Sequence, residues 1–235
     1  MITAMDRQRN PELMDDPALD ERAHLLALRG LERLNAASGA VPQIWVAIRP
    51  LYETAPSVSL LDIATGGGDV PLSLSRLAAS EGRKLHISGT DVSPRAIALC
   101  RKRASDAGID AHFFEFNALT DELPQAIERF DVVTANLFTH HIDPPDVIAL
   151  LKRMSECAKK LVIVNDLERS WLNYLQVIVA TRLLSTSPVV HYDGPTSVRA
   201  AYTISEFQHM AEAAGLRNCR VEKRFPCRLL LTWSP

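Results

Sequence analysis

The segment Leu60-Leu-Asp-Ile-Ala-Thr-Gly-Gly-Gly-Asp69 constrains this chain more than any other. A nearly continuous apolar run, Val58 to Ala64, meets three consecutive glycines, and a helical pattern from Val70 to Ser80 begins at once. An apolar run without alternation suits a strand covered on both faces. Glycines at its end let the backbone approach a ligand that a Cβ would hold off. In open α/β sheets ligands bind there, beyond the carboxyl ends of the strands. The remainder of the chain supports such a sheet. Apolar runs at Leu85 to Gly89, Ala111 to Phe116, Phe130 to Ala135 and Leu161 to Val164 alternate with helical segments, of which Ser93-Pro94 and Pro145 to Ala158 are the clearest. That alternation predicts an α/β fold with a parallel, doubly wound sheet.

The regions flanking this core are less regular. Residues Met1 to Asp16 read as a mobile arm, and Met14-Asp-Asp-Pro opens a helix that Gly39 ends. A second helix starts near Pro42 and carries Ile44, Trp45 and Ile48. Residues 1–55 thus form an arm and helical cap, and residues 56–235 the α/β domain. Past Asp166, an apolar helix from Ser170 to about Leu184 precedes a loop with Pro188, Gly194 and Pro195. Ser205 caps a further helix ending at Gly215. Cys219 to Arg224 and Arg228 to Trp233 follow as strands close enough for an antiparallel hairpin.

Composition narrows the function. The formal net charge of −2 leaves no basic track for nucleic acid. No apolar run approaches the ~18 residues of a membrane span. The charged N-terminus carries no signal-type apolar stretch. Cys100, Cys157, Cys219 and Cys227 form no CxxC pair and read as reduced thiols of a cytoplasmic protein.

The glycine turn itself discriminates between ligands. Gly66 and Gly68 fit the dinucleotide pattern G-x-G-x-x-G, but Pro71 stands at its third position. Asp69 lies beside the helix N-terminus where a pyrophosphate would sit. A carboxylate there repels phosphate and attracts an amino group or a sulfonium, so the turn favours S-adenosylmethionine over NAD. Asp91, at the end of the second strand, is placed to accept from both hydroxyls of a ribose; the alternative is a second cap for the helix at Ser93.

At these residues the chain resembles a family. LLDIATGGGDVPLSL and ISGTDVSPRAIALCRKRA look like the first and second motifs of class I S-adenosylmethionine-dependent methyltransferases. FFEFNAL, FDVVTANLFTHHI and LVIVNDLERS follow in order. The resemblance implies a seven-stranded, mostly parallel sheet with an antiparallel last strand. It implies that Asp62, Ala64 and Gly66, Gly67 and Gly68 contact the methionine part, Asp91 with Val92 the ribose, Asn117 and Ala118 the adenine edge, and Asn136 the donor. Leu34-Asn35-Ala-Ala-Ser38-Gly39 and Trp45 also resemble, with a gap different by one residue, a segment preceding the core of ubiquinone/menaquinone C-methyltransferases. Either the two preface helices close over the cofactor, or they only cover a sheet edge.

The resemblance places His140 and His141 beside the donor methyl. One of them is expected to be the base that deprotonates a phenol; the alternatives are a ring on the cofactor rim and a cap for the next helix. Asp166, Arg169, His191 and Tyr202 are the substrate-side candidates, with a solvated loop position open for His191 and a structural ion pair for Asp166 and Arg169. Catechol-type relatives hold magnesium with acids at the fourth and fifth strand ends. Here Asn136 ends the fourth strand and Asn165-Asp166 the fifth, so one carboxylate and two amides stand there and no metal is expected. The apolar segment Trp171 to Leu184 reads equally as a buried helix, a contact in a homodimer, or a lid on an aromatic or prenylated substrate. The reading that results is transfer of a methyl group to a small aromatic or quinone- or polyketide-like molecule, with O-methylation first and ring C-methylation second. A nicotinamide-dependent oxidoreductase and a non-catalytic cofactor-binding protein are the rivals.

Overall fold

A computed structural model describes residues 5–16, 18–121 and 129–235. Its centre is one seven-stranded sheet. The strands are β1 (Ser57–Ile63), β2 (Lys84–Asp91), β3 (Ala111–Glu115), β4 (Phe130–Asn136), β5 (Ala158–Leu167), β6 (Arg220–Arg224) and β7 (Arg228–Trp233), in the order β3-β2-β1-β4-β5-β7-β6. β7 alone runs against its neighbours, as expected for the closing hairpin. The chain order reverses between β1 and β4, so the carboxyl ends of β1 and β4 open a crevice at the switch point. One core layer lies on each face. Leu61, Val133, Val162 and Leu231 point to one side, and Leu60, Val132, Ile163 and Leu230 to the other, all nearly fully buried. This is the period-two alternation of a sheet covered twice.

The helices that sandwich the sheet are α3 (Asp69–Ser80), α4 (Pro94–Asp106), α5 (Pro144–Cys157) and α8 (Ile204–Ala213) with α2 (Ala40–Ile48). Ser93 caps α4, accepting from Ala96 N, and Pro94 fills its first position. α8 begins two residues earlier than its sequence suggests. Thr203, not Ser205, is the cap, because Thr203 Oγ1 and the Glu206 side chain exchange bonds with each other's backbone amides in a capping box.

Above the crevice lie α1 (Glu21–Ala37), α6 (Trp171–Leu184) and α7 (Pro188–Ala200), packed on one another. Three expectations change here. The segment around Gly194-Pro195 is helical, not a loop. Proline removes one amide from the helix, at its interior, but tertiary contacts outweigh that loss. A Cβ on Gly194 would lie 2.7 Å from Thr181 Cγ2 and 3.0 Å from Val177 Cγ1, so glycine there lets α7 lie against α6. α6 is not a buried helix: Leu172, Leu175, Val179 and Leu183 are exposed on one side, while Asn173, Gln176, Val177 and Thr181 face the crevice. α1 starts at Glu21, because the Asp20 carboxylate accepts from Ala23 N and caps it there; Leu13–Asp15 forms only a single short turn. Pro17 lies outside the described residues.

The N-terminal segment is bound along its length from Met5 on; residues 1–4 lie outside the described residues. Arg7 Nε donates to Ala200 O at 2.7 Å and its guanidinium lies over the Tyr202 ring at 4.2 Å. Arg9 pairs with Asp143 at 2.7 Å. The amides of Leu13 and Met14 both donate to Asp193 of α7, at 2.7 and 3.0 Å. Composition alone reads this polar stretch as mobile, because its partners lie more than a hundred residues away in sequence.

Candidate functional site

The crevice deepens into a cavity of about 900 Å³. Its floor is the carboxyl edge of the sheet. Its walls are α1, α6, α7 and the bound N-terminal segment.

The glycine turn forms one end. Gly66 and Gly68 have φ of +53° and +74°, and the space beyond the Gly66 Cβ position is empty to 4 Å. The turn is therefore folded in a left-handed conformation that glycine adopts at least cost and presents bare backbone to the cavity. Asp91 fixes it. One carboxylate oxygen accepts from Gly66 N and the other from Ser93 N, each at 2.9 Å, so Asp91 both ties the turn and serves the next helix. Asp69 borders the cavity and accepts from Asn35 Nδ2 at 3.2 Å. Beneath them Asp62 is buried. Thr134 Oγ1 and Asn136 Nδ2 donate to it at 2.6 and 2.8 Å. Burial pushes its carboxyl up to about 6, against the pull of those two donors. The amide oxygen of Asn136 faces no donor.

The other end is built around the Thr139-His140-His141 turn after β4. Asp166, at the end of β5, is fully enclosed. One of its oxygens takes His140 Nδ1 at 2.6 Å and Leu167 N at 2.7 Å; the other takes Thr139 Oγ1 at 2.5 Å and His140 N at 3.2 Å. That set of donors holds Asp166 below the usual carboxylate range despite its burial. With Nδ1 held, His140 turns Nε2 toward the cavity, 3.9 Å from the Glu12 carboxylate. Burial alone would lower the His140 pKa; Asp166, and Glu12 beyond it, reverse the sign and raise it. His141, stacked against His140 with ring centroids 4.2 Å apart, is pushed down by burial and by that neighbour. Glu12 itself accepts from Ser197 Oγ at 2.6 Å and is raised by burial. Glu12, His140 and His141 bring three donor atoms within 4.8 Å of one another.

The cavity is strongly acidic. Glu12, Asp15, Glu21, Glu32, Asp62, Asp69 and Asp91 line it, against Arg95, Arg103 and Arg228. A pocket so lined draws in cations and disfavours diphosphates.

Of the residues singled out from sequence, Asp62, Ala64, Gly66, Gly67, Asp91, Asn136, His140 and His141 meet in this one cavity. Gly68 shapes the turn behind it. The others stand elsewhere. Val92 is exposed to solvent. Asn117 Oδ1 closes a local turn by accepting from Leu119 N at 2.9 Å, and Ala118 packs in the core. His191 lies within α7, not in a loop, with Nε2 2.8 Å from Ser185 O. Arg169 is occupied by Met5 O, Ala201 O and Glu206. Tyr202 donates to Ile142 O at 2.7 Å. Asp166 sits behind His140, not on the cavity wall. Sequence reasoning missed Glu12, Gln176 and Arg228, and reached Ser197 only as part of the polar, aromatic segment Asp193 to Thr203. None belongs to a motif; Arg228 offered one hint, a lone charge opening the apolar strand Leu229-Leu-Leu.

Residues 60–160 match the family of the methyltransferase domain. Among curated relatives, the chain is 31% identical over 113 residues to a demethylmenaquinone methyltransferase of Thermus thermophilus, covering 48% of each protein. It is 30% identical over 172 residues to a ubiquinone biosynthesis O-methyltransferase of Methylobacterium nodulans, covering 72% of this chain and 62% of that one. The chain thus spans about half the length of the curated relatives it matches. In fold it is similar to the plantazolicin methyltransferase BpumL, solved with SAH, at a TM-score of 0.68 and 17% identity over 94% of this chain and 90% of that one. The citrinin polyketide synthase CMeT domain matches with a TM-score of 0.60 at 13% identity, over 82% of this chain and 51% of that one.

Proposed function

From the premise that this chain is a class I S-adenosylmethionine-dependent methyltransferase, we propose that it methylates a small hydroxylated aromatic or quinone- or polyketide-like acceptor, on oxygen. One observation carries this reading. A single cavity joins the glycine turn to His140, whose ring is clamped by a buried carboxylate with its free nitrogen facing inward.

The donor end suits S-adenosylmethionine. The unpaired Asn136 Oδ1, the Asp62 and Asp69 carboxylates and the bare Gly66 backbone offer acceptors and space to an ammonium group, and Asp91 lies beside them for a ribose. When bound, the donor supplies a methyl group on an excellent leaving sulfur, so the protein's own work is alignment and proton removal. His140 takes the acceptor's proton at Nε2. Asp166 fixes the tautomer that makes Nε2 the acceptor and stabilises the imidazolium that results. Leu28, Leu31, Val177 and Leu184 wall the acceptor's apolar body and keep water from the proton path.

The test has two stages. Calorimetry is expected to show binding of S-adenosylhomocysteine and none of NAD. A radiolabelled methyl donor is then expected to label catechols and hydroxyquinones, and NMR of the product identifies the methylated atom. Binding of NAD alone overturns the reading. Labelling on ring carbon would move the acceptor chemistry to C-methylation without changing the roles of His140 and Asp166.

A further inference from the structure

Arg228 is the first residue of β7, level with Leu167 of β5 and 6% exposed. It borders the cavity. The other two arginines of the lining are paired: Arg95 with Glu21, and Arg103 with Glu32. Among the described residues no carboxylate lies within ion-pair distance of Arg228. Nη2 donates to Ser38 Oγ at 2.9 Å, and Nη1 is buried with no partner. Asp166 is the carboxylate whose charge Arg228 senses, but its two oxygens already take four donors. Leaving a buried guanidinium half-bonded costs free energy that a ligand anion would recover. Among the described residues lining this otherwise acidic cavity, Arg228 is the arginine without an ion pair.

Its place in the sheet says which ligand. β7 stands three strands from β1, about 14 Å at ~4.8 Å per strand. The Arg228 backbone thus starts away from the turn, while its side chain reaches Ser38 and lies near enough to Asp166 and His140 for its charge to be felt at both. An acceptor whose reacting oxygen lies at His140 would extend its far side toward Arg228. A guanidinium fork pairs best with a planar, delocalised oxyanion.

We propose that Arg228 binds an oxyanion on the acceptor, so that preferred acceptors carry a carboxylate or an ionised enol or phenol in addition to the atom that is methylated. This rests on the methyl-transfer reading and narrows its substrate class.

The experiment uses the full chain saturated with S-adenosylhomocysteine and measures acceptor binding by calorimetry with two matched pairs. One is 3,4-dihydroxybenzoic acid against its methyl ester; the other is 1,3-cyclohexanedione, ionised at neutral pH, against its neutral enol methyl ether. The acid of at least one pair is expected to bind roughly tenfold tighter than its neutral partner, and the pair that does so identifies the anion. Arg228→Met is expected to erase that preference, and Arg228→Lys to restore part of it. Equal affinity within both pairs on the native protein overturns the proposal without recourse to any variant, as does failure of all four probes to bind. A roughly tenfold loss of S-adenosylhomocysteine affinity in Arg228→Met, with no acid preference in the native protein, would assign the arginine to the donor's own carboxylate and overturn it too. Failure of the native chain to bind S-adenosylhomocysteine at all would instead sink the methyltransferase reading.

Discussion

The two ends of the cavity are built in different ways. The donor end comes mostly from one stretch, Asp62 to Asp91, a strand, a turn, a helix and a strand in sequence order, joined by Asn136 from β4 and Asn35 from α1. The acceptor end takes Glu12 from the N-terminal segment, Ser38 from the end of α1, His140 from the β4 turn, Asp166 from β5, Ser197 from α7 and Arg228 from β7. The turn that suits a nucleoside-type ligand is thus mostly a local unit, while the groups that would set this chain's own chemistry are assembled on the fold from distant segments. The key bonds differ too: Asp91 ties the donor turn through backbone amides, whereas at the acceptor end a buried carboxylate holds the His140 ring.

The largest effect that separates the ends is expected at His140. Replacing it with alanine should lower turnover about 10² to 10⁴-fold and leave S-adenosylhomocysteine binding nearly unchanged in calorimetry. Equal turnover in His140→Ala would remove the base from this residue. Its pH dependence sharpens the point. Asp166 from β5 and Glu12 from the N-terminal segment face the ring, against His141 and Arg228, and the balance raises its pKa above 6.5. A base must be neutral to act, so kcat should rise with pH through an inflection above that value. Asp166→Asn removes the dominant charge, and the inflection should move down while turnover falls.

Next in size is a packing effect on the roof that both ends share. Gly194→Ala sets a methyl group against Thr181 and Val177, and the overpacking should cost about 1–3 kcal/mol in denaturant unfolding. An unchanged midpoint would mean that the contact of α7 with α6 at Gly194 is not a close one.

A smaller effect tests the donor end alone. Asp62 has a folded-state pKa raised from 3.8 to about 6. Its buried charge therefore begins to cost stability as pH rises from 3.8, and the cost is complete above about 6. Binding runs the other way: the charged form attracts an ammonium group, so S-adenosylhomocysteine affinity should fall several-fold as pH drops through about 6. Asp62→Asn should flatten that profile.

How far the sequence discloses each end follows from the same contrast. The strands, the glycine turn and the place of Asp91 were legible because each depends on neighbours a few residues away: a run of apolar residues, a break, a helix start. The helix over Gly194-Pro195 was not, because glycine and proline read as breakers until α6 is seen lying against them. Nor was the bound N-terminal segment, whose amides are satisfied by Asp193. Arg169 was drawn toward the site by its place just after β5 and Tyr202 by a segment mixing polar and aromatic groups, yet their side chains bind backbone carbonyls outside the cavity lining. His140 was legible as a residue but its role was not, since that role depends on Asp166, twenty-six residues later, filling Nδ1.

The smallest expected effect separates two uses of the acceptor end. Glu12, His140 and His141 are near enough to share a cation, and a ligating His140 could not also receive a proton at Nε2. The oxygen-rich alternative at the strand ends is weak: Asn136 and Asn165 pair in register there, where a magnesium site draws on carboxylates. If His140 acts as the base, prolonged treatment with EDTA should leave kcat within about twofold, because the proton goes to a nitrogen that is already poised by Asp166. If turnover is lost and zinc or manganese restores it, the acidifying element is a cation held by those three side chains, and the local-versus-distributed contrast becomes stronger still, since one ligand would come from the N-terminal segment and two from the β4 turn.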